Sequence, residues 1–276
     1  MREATRPEHY SKWWERAMPP ESDDLIPIES APLVEPVPEA PAPEREPFWG
    51  YVDLALFLGL LIAFVSVILV IAAGLVFALP GLRRDEAQLL LPTQIALYAA
   101  VYLSFRIVLG LRHGRPVLPS LGWCPARFNL LLVGLGGILL AFVVSALAAL
   151  VHTPKVPSPV ESLMGSPILL SLFGLMAITL APFFEELVFR GFLQPLLTRS
   201  LGTLAGIVIT GAVFGSLHAP EYSFAWQYAV AVSLVGMVLG WVRARSNSII
   251  PCTVMHGAYN SVFVVALVIS KFHPDK

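Results

Sequence analysis

The chain of 276 residues is 56% hydrophobic and only 13% charged, and its mean hydropathy is +0.73. Soluble domains carry about 25% charged residues, so this composition excludes an ordinary soluble domain and predicts a polytopic membrane protein. The formal net charge of -1 excludes a broadly basic nucleic-acid-binding protein. Two cysteines are too few for a disulfide framework or a cysteine-rich metal site.

Residues 1–47 have the composition of a disordered tail. The first 50 residues hold 11 of the 19 acidic residues and 10 of the 24 prolines, and residues 32–47 consist largely of Pro and Glu. Such a segment cannot bury enough apolar surface to offset the entropy lost on folding. We therefore expect a disordered N-terminal tail.

Seven apolar runs follow, and a bilayer-spanning helix needs about 20 residues. The first of them contains no charged residue. They lie at residues 54–82, 94–111, 128–151, 166–184, 204–217, 224–242 and 249–270. The sequence thus predicts an all-α fold, a polytopic bundle of about seven transmembrane helices within a range of six to eight.

The basic residues of the loops predict the orientation. With the N-terminus in the cytoplasm, the inner loops carry Arg112, Arg115, Arg127, Arg199, Arg243 and Arg245. The outer segments carry Arg83, Arg84, Lys155, Lys271 and Lys276. Because the tail adds further Lys and Arg on the inner side, the positive-inside rule favours a cytoplasmic N-terminus.

Six polar residues interrupt the apolar runs after residue 165. A charged side chain at a helix centre costs about 2.5–3.5 kcal/mol on insertion scales, so each needs a partner or a function. They are Glu185, Glu186, Arg190, His218, His256 and Asn260. Six such residues within one third of the chain favour a shared polar cavity.

Their spacing supports this interpretation. Glu186 and Arg190 are four residues apart, as are His256 and Asn260, so each pair lies on one helix face. Residues 200–203 form a turn signal, and Glu185 lies 16 residues before its Leu201 while His218 lies 16 residues after its Gly202. An antiparallel hairpin would place both about 24 Å from that turn.

The cluster has the parts required for hydrolysis. A carboxylate beside a histidine in a water-poor cavity can activate water. His256 and Asn260 can donate hydrogen bonds to a developing oxyanion. The alternatives are a structural ion pair for Glu186 with Arg190, a packing role for His256 and an interfacial position for His218.

Three segments resemble the motifs of one family. Residues 185–191 (EELVFRG) resemble the EExxxR(G) motif of the CAAX prenyl protease type 2 family, whose bacterial members are the CPBP or Abi intramembrane proteases. Residues 214–218 (FGSLH) resemble its FxxxH motif, and residues 256–260 (HGAYN) its HxxxN motif. The resemblance covers residues 165–265.

The resemblance implies an intramembrane endopeptidase. Glu185 would activate water with help from His218, His256 and Asn260 would stabilise the oxyanion, and Glu186 and Arg190 would support the site. The corresponding division is a tail at 1–47, N-terminal transmembrane helices at 48–165, a catalytic core at 166–270 and a C-terminal tail at 271–276. The expected partners are membrane lipid and a hydrophobic or membrane-associated protein or peptide substrate, prenylated or not. The expected location is a bacterial cytoplasmic membrane.

Three alternatives remain at this point. We expect no cofactor, but Glu185, His218 and His256 have the chemistry of Zn²⁺ ligands, although they do not form a compact HExxH motif. Intramembrane ionisable residues also mark transport pathways, although the chain shows no repeated halves. A non-catalytic membrane scaffold or an immunity-type protein is the third alternative.

Overall fold

The computed structural model describes residues 47–79, 81, 87–154, 156 and 165–272. Apart from Pro47, the predicted N-terminal tail lies outside these residues, as do the last four residues of the predicted C-terminal tail. Every regular element within the described ranges is a helix, and no strand occurs there. The predicted all-α class is confirmed.

Ten α-helices are described, with two π-helical segments and one 3-10 helix between them. In chain order the α-helices are α1 (Tyr51–Ala78), α2 (Ala87–Phe105), α3 (Val117–Ser120), α4 (Leu130–Leu150), α5 (Pro167–Ile178), α6 (Leu180–Glu186), α7 (Gln194–Leu201), α8 (Thr203–His218), α9 (Trp226–Ser246) and α10 (Ile250–Phe272). The π-helical segments are Arg106–Leu111 and Leu187–Leu193, and the 3-10 helix is Ala219–Tyr222.

Seven of the helical stretches in the described residues are long and apolar enough to cross a membrane. α5, α6, the second π-helical segment and α7 together form one of them, Pro167–Leu201. The remaining six centre on α1, α2, α4, α8, α9 and α10. The predicted number of spans is therefore confirmed, and the chain is an integral membrane protein.

α1 is the span with the least contact to the protein interior. Only Asp53 and Phe57 are buried along its 28 residues, and its other apolar side chains are exposed or half-buried. Exposed apolar side chains on such a helix are expected where lipid replaces water as the solvent. α1 therefore borders the bundle, and its N-terminal end is anchored to the rest of the protein.

That anchor is an aromatic core shared by the two halves of the chain. Trp49 and Phe57 pack with Phe105 and Phe192 in one buried cluster. The Trp49 ring stacks on Phe192 at 5.4 Å, and Trp49 Nε1 donates a hydrogen bond to the Phe192 carbonyl oxygen at 3.1 Å. The N-terminal helices thus pack directly against the second π-helical segment, which the sequence assigns to the catalytic core.

The fourth span is interrupted twice, and a proline lies near each interruption. The helix breaks at Thr179, and Pro182 lies in the first turn of α6, where its missing N–H is tolerated. The π-helical turn Leu187–Leu193 begins directly after Glu186, and Pro195 follows in the first turn of α7. Such π-helical turns are frequent at functional sites.

The hairpin between α7 and α8 follows the sequence prediction. α7 ends at Leu201, Gly202 adopts φ +86°, and α8 begins at Thr203. Only glycine adopts this backbone conformation without strain. The reversal at Gly202 brings α8 back along the fourth span, so that His218 returns to the level of the polar residues.

Candidate functional site

A fully buried ion pair forms the base of the site. The Glu186 and Arg190 side chains are both 0% exposed, and Arg190 Nη1 donates to Glu186 Oε1 at 2.8 Å. Arg190 Nη2 donates to the Gly236 carbonyl oxygen on α9 at 2.9 Å. The Arg190 guanidinium also lies over the Phe214 ring, with 4.7 Å from Cζ to the ring centroid. Each charge is compensated inside the protein, as the low dielectric constant requires.

His256 connects this pair to the neighbouring glutamate. Its Nδ1 lies 2.9 Å from Glu186 Oε1, and its Nε2 lies 3.7 Å from Glu185 Oε2. Since Glu186 Oε1 also accepts from Arg190, it is the acceptor in the first contact, and His256 Nδ1 carries a proton. The ring orientation is thereby fixed, with Nε2 directed towards Glu185.

Glu185 is the more accessible of the two glutamates. Its side chain is 27% exposed, whereas that of Glu186 is fully buried. The 3.7 Å separation from His256 Nε2 permits an electrostatic contact but is too long for a good hydrogen bond. Among the carboxylates of the cluster, that of Glu185 is therefore better placed to meet a substrate.

His218 lies at the end of α8, beside the Phe214 ring. Its Nδ1 donates to the Phe214 carbonyl oxygen at 2.8 Å, which leaves Nε2 of the neutral ring as an acceptor. The Phe214 ring lies 4.5 Å from the His218 ring and 5.8 Å from the His256 ring, between centroids. No hydrogen bond or ion pair joins His218 to Glu185 among the described contacts, so cooperation between these two side chains needs a bridging group.

Asn260 is held by the break in the fourth span. Its Nδ2 donates to the Ala177 carbonyl oxygen at 2.8 Å, which commits one of the two amide protons. Nearby, a Cβ atom on Gly257 would lie 2.5 Å from the Ile178 carbonyl oxygen. In a continuous α-helix the residue at position 182 would donate to the Ile178 carbonyl, but proline has no N–H to donate. The break therefore exposes backbone that α10 approaches closely.

The structure brings the six predicted residues into one region on three spans. Glu186, Arg190 and His256 form a continuous hydrogen-bonded chain, and Glu185 touches its end. His218 joins through Phe214, and Asn260 lies one helical turn from His256. Their catalytic roles stay predictions, as do the proposed domain boundaries.

Glu221 is an additional acidic residue that the sequence interpretation did not assign to the site. It lies three residues after His218, in the 3-10 helix, and its carboxylate interacts electrostatically with both His218 and Glu185. Tyr98 on α2 also interacts electrostatically with Glu185, and its ring stacks on Phe184 at 4.8 Å. The sequence signal for Glu221 was its position beside His218 in a segment poor in acids.

The zinc alternative can be compared with this geometry. Within the described residues, no group of three or more His, Cys, Asp or Glu side chains is arranged to hold a metal ion. His256 directs one nitrogen to Glu186 and the other to Glu185. Absence of a metal requirement stays a prediction, and chelation tests it.

The comparison with protein families gives one match. Residues 167–262 match the family model described as Type II CAAX prenyl endopeptidase Rce1-like. No curated protein and no solved structure matches the chain. The family that the three motifs resemble is therefore confirmed, over a segment that contains all six predicted residues.

Proposed function

We propose that this chain hydrolyses a peptide bond of a hydrophobic or membrane-associated substrate, with Glu185 as the general base. Its residues 167–262 match the type II CAAX prenyl endopeptidase Rce1-like family. The observation that carries this proposal is the position of the partly exposed Glu185 carboxylate, 3.7 Å from an imidazole that a fully buried ion pair orients. Water attack inside a membrane requires such a preorganised polar group.

In the first step, Glu185 removes a proton from a water molecule while the water oxygen attacks the substrate carbonyl carbon. His218 Nε2 accepts the second hydrogen bond of that water and orients it, since Nδ1 is committed to the Phe214 carbonyl. The water thus bridges Glu185 and His218, which have no direct contact. General-base catalysis of this kind contributes about 100–10,000-fold to the rate.

The oxyanion that forms needs hydrogen-bond donors. His256 Nδ1 already donates to Glu186 Oε1, so Nε2 is a donor when the ring carries a proton on both nitrogens. In that state Nε2 carries a proton and donates to the oxyanion, together with the second amide proton of Asn260. Loss of one such donor costs about 100–1000-fold in rate.

The tetrahedral intermediate then collapses. Protonated Glu185 returns its proton to the amide nitrogen, the carbon–nitrogen bond breaks, and the two peptide products separate with Glu185 again ionised. Glu186 and Arg190 do not exchange protons in this sequence. They hold the His256 ring at its angle, because Glu186 Oε1 accepts from both side chains.

The substrate class follows from the surroundings of the site. The fourth, fifth and seventh spans carry it, so a substrate that reaches Glu185 is itself lipid-soluble or anchored in the bilayer. A prenyl group is one such anchor, and an apolar peptide segment is another. The distribution of basic residues in its loops supports an N-terminus in the cytoplasm. A bacterial cytoplasmic membrane is what the resemblance of the three motifs implies.

The test is proteomics of released peptides together with cleavage of paired prenylated and unprenylated peptides by the purified full chain. Glu185→Gln and His218→Ala should each reduce cleavage by at least about 100-fold. His152→Ala is the matched control, because His152 is exposed in the turn after α4. Full activity of Glu185→Gln in folded protein would defeat the assignment. Equal rescue of a cellular phenotype by Glu185→Gln would instead favour a non-catalytic scaffold.

A further inference from the structure

A cavity with a volume of about 500 Å³ lies where α7 and α9 end and α8 begins. Arg199 and Arg243 line it, and so do the polar side chains of Gln194, Thr198, Ser120 and Asn247. No Asp or Glu is among its lining residues. The cavity is therefore polar and carries two positive charges.

Neither guanidinium has a carboxylate partner among the described residues. Arg199 Nη1 donates to the Pro47 carbonyl oxygen, and Arg243 Nε donates to the Arg190 carbonyl oxygen at 3.1 Å. These bonds fix the position of each guanidinium and use one donor of the five that each carries. Two cations that converge on one cavity repel each other unless an anion lies between them.

The location of the cavity indicates the class of anion. Arg199 lies in the last turn of α7 and Arg243 in the last turn of α9, at the end of the bundle where the basic loops are concentrated. At such an end, basic pockets between transmembrane helices bind the headgroups of anionic lipids. Arginine matches the geometry of a phosphate group because its planar fork can donate two parallel hydrogen bonds.

We propose that the cavity between α7 and α9 binds a phosphate group, carried by an anionic lipid headgroup or present as free inorganic phosphate. The volume lies within the range of about 300–1000 Å³ that is typical of small-ligand pockets. This site is distinct from the glutamate site and does not depend on peptide hydrolysis.

The experiment measures binding to the purified full chain in a neutral detergent. Short-chain dihexanoyl phosphatidylglycerol, dihexanoyl phosphatidylcholine and inorganic phosphate are titrated separately by calorimetry. We expect phosphatidylglycerol to bind more tightly than phosphatidylcholine. Competition by inorganic phosphate shows that the phosphate group alone suffices, and its failure to compete shows that the rest of the headgroup contributes.

Arg199→Gln is the principal variant, because the Arg199 side chain is exposed and its replacement leaves the core intact. We expect its affinity for phosphatidylglycerol to fall about tenfold or more, as for loss of a charged hydrogen bond. Arg243→Gln should cause a similar loss. Arg245→Gln is the matched control, since Arg245 is exposed and lies against the Trp241 ring, outside the cavity.

Wild-type affinity in both Arg199→Gln and Arg243→Gln would overturn the proposal. An equal loss in Arg245→Gln would also overturn it, because it would show attraction to the basic surface in general. Since Arg243 also holds the Arg190 carbonyl, the Arg199 variant decides the outcome if Arg243→Gln fails to fold.

Discussion

Glu185 and Glu186 are adjacent in sequence, yet their replacement by glutamine should damage different properties. Glu186→Gln removes the negative partner of the fully buried Arg190, which lies 2.8 Å away. Breaking a buried ion pair costs about 3–5 kcal/mol, because the remaining charge is left uncompensated. Arg190 keeps its bond to the Gly236 carbonyl and its contact with the Phe214 ring, so we expect a cost of about 3 kcal/mol, the lower end of that range.

Glu185→Gln should leave stability nearly unchanged. Its side chain is 27% exposed, and its one ion-pair contact, with His256, spans 3.7 Å. Because this separation is too long for a good hydrogen bond, we expect loss of the contact to cost about 0–1 kcal/mol, as for weak ion pairs. Cleavage, in contrast, should fall by about 100-fold or more, because the amide cannot accept the proton of the attacking water.

The assay combines thermal unfolding of the full chain in one detergent with cleavage of one peptide. At about 2–4 °C per kcal/mol for a protein of this size, Glu186→Gln should lower the melting temperature by roughly 10 °C. The double variant Glu186→Gln/Arg190→Gln should lose less stability than the sum of the single variants, since it leaves no unpaired charge. Additive losses, or equal melting temperatures for Glu185→Gln and Glu186→Gln, would refute this reasoning.

Three further predictions concern packing and metal dependence. Gly257→Ala should lower the melting temperature by an amount that corresponds to about 1–3 kcal/mol, because its Cβ would lie 2.5 Å from the Ile178 carbonyl oxygen. Gly134→Ala, whose nearest neighbour would be 3.8 Å away, is the tolerated control, and equal effects would contradict the close approach. Trp49→Phe should cost about 1 kcal/mol by thermal unfolding through loss of the bond to the Phe192 carbonyl, and an unchanged melting temperature would count against that anchor. A zinc chelator should leave the cleavage rate unchanged, whereas stoichiometric zinc that restores lost activity would establish the metal alternative.

Hydropathy and spacing predicted the seven spans and grouped the polar residues. The hairpin around Gly202 could be read from its turn signal, and the pairs four residues apart could be placed on common helix faces. These features are local, because they depend on the helical period and on turn chemistry. The confirmed all-α fold class follows from these local features, whereas the family match over residues 167–262 rests on the three motifs.

The interruptions of the fourth span were not predictable in the same way. The break at Thr179 lies within the apolar run 166–184, whose hydropathy gives no sign of it, and the π-helical turn Leu187–Leu193 lies beyond the end of that run. Pro182 and Pro195 are compatible with bends, but a proline alone specifies neither the break nor the π-helical turn. Asn260 donates to a backbone carbonyl on another span, and a backbone partner cannot be inferred from the side chains in the sequence.

Backbone carbonyl oxygens on an apolar helix also support the buried polar residues, and the sequence does not reveal them either. Polar side chains recur every four residues along the fourth span, at Glu186, Arg190 and Gln194. Arg190 donates to the Gly236 carbonyl oxygen and Gln194 to that of Gly240. These two glycines are also four residues apart. A helical carbonyl has a second lone pair besides the one used within its helix. α9 therefore offers a row of hydrogen-bond acceptors without using polar side chains. The glycines at these positions set how α9 aligns with the helix that carries the ion pair, and hydropathy counts glycine as neutral. A Cβ atom would lie 3.0 Å from Gly211 Cα if added at Gly236 and 3.0 Å from Gln194 Oε1 if added at Gly240, so either replacement would require a neighbouring group to shift.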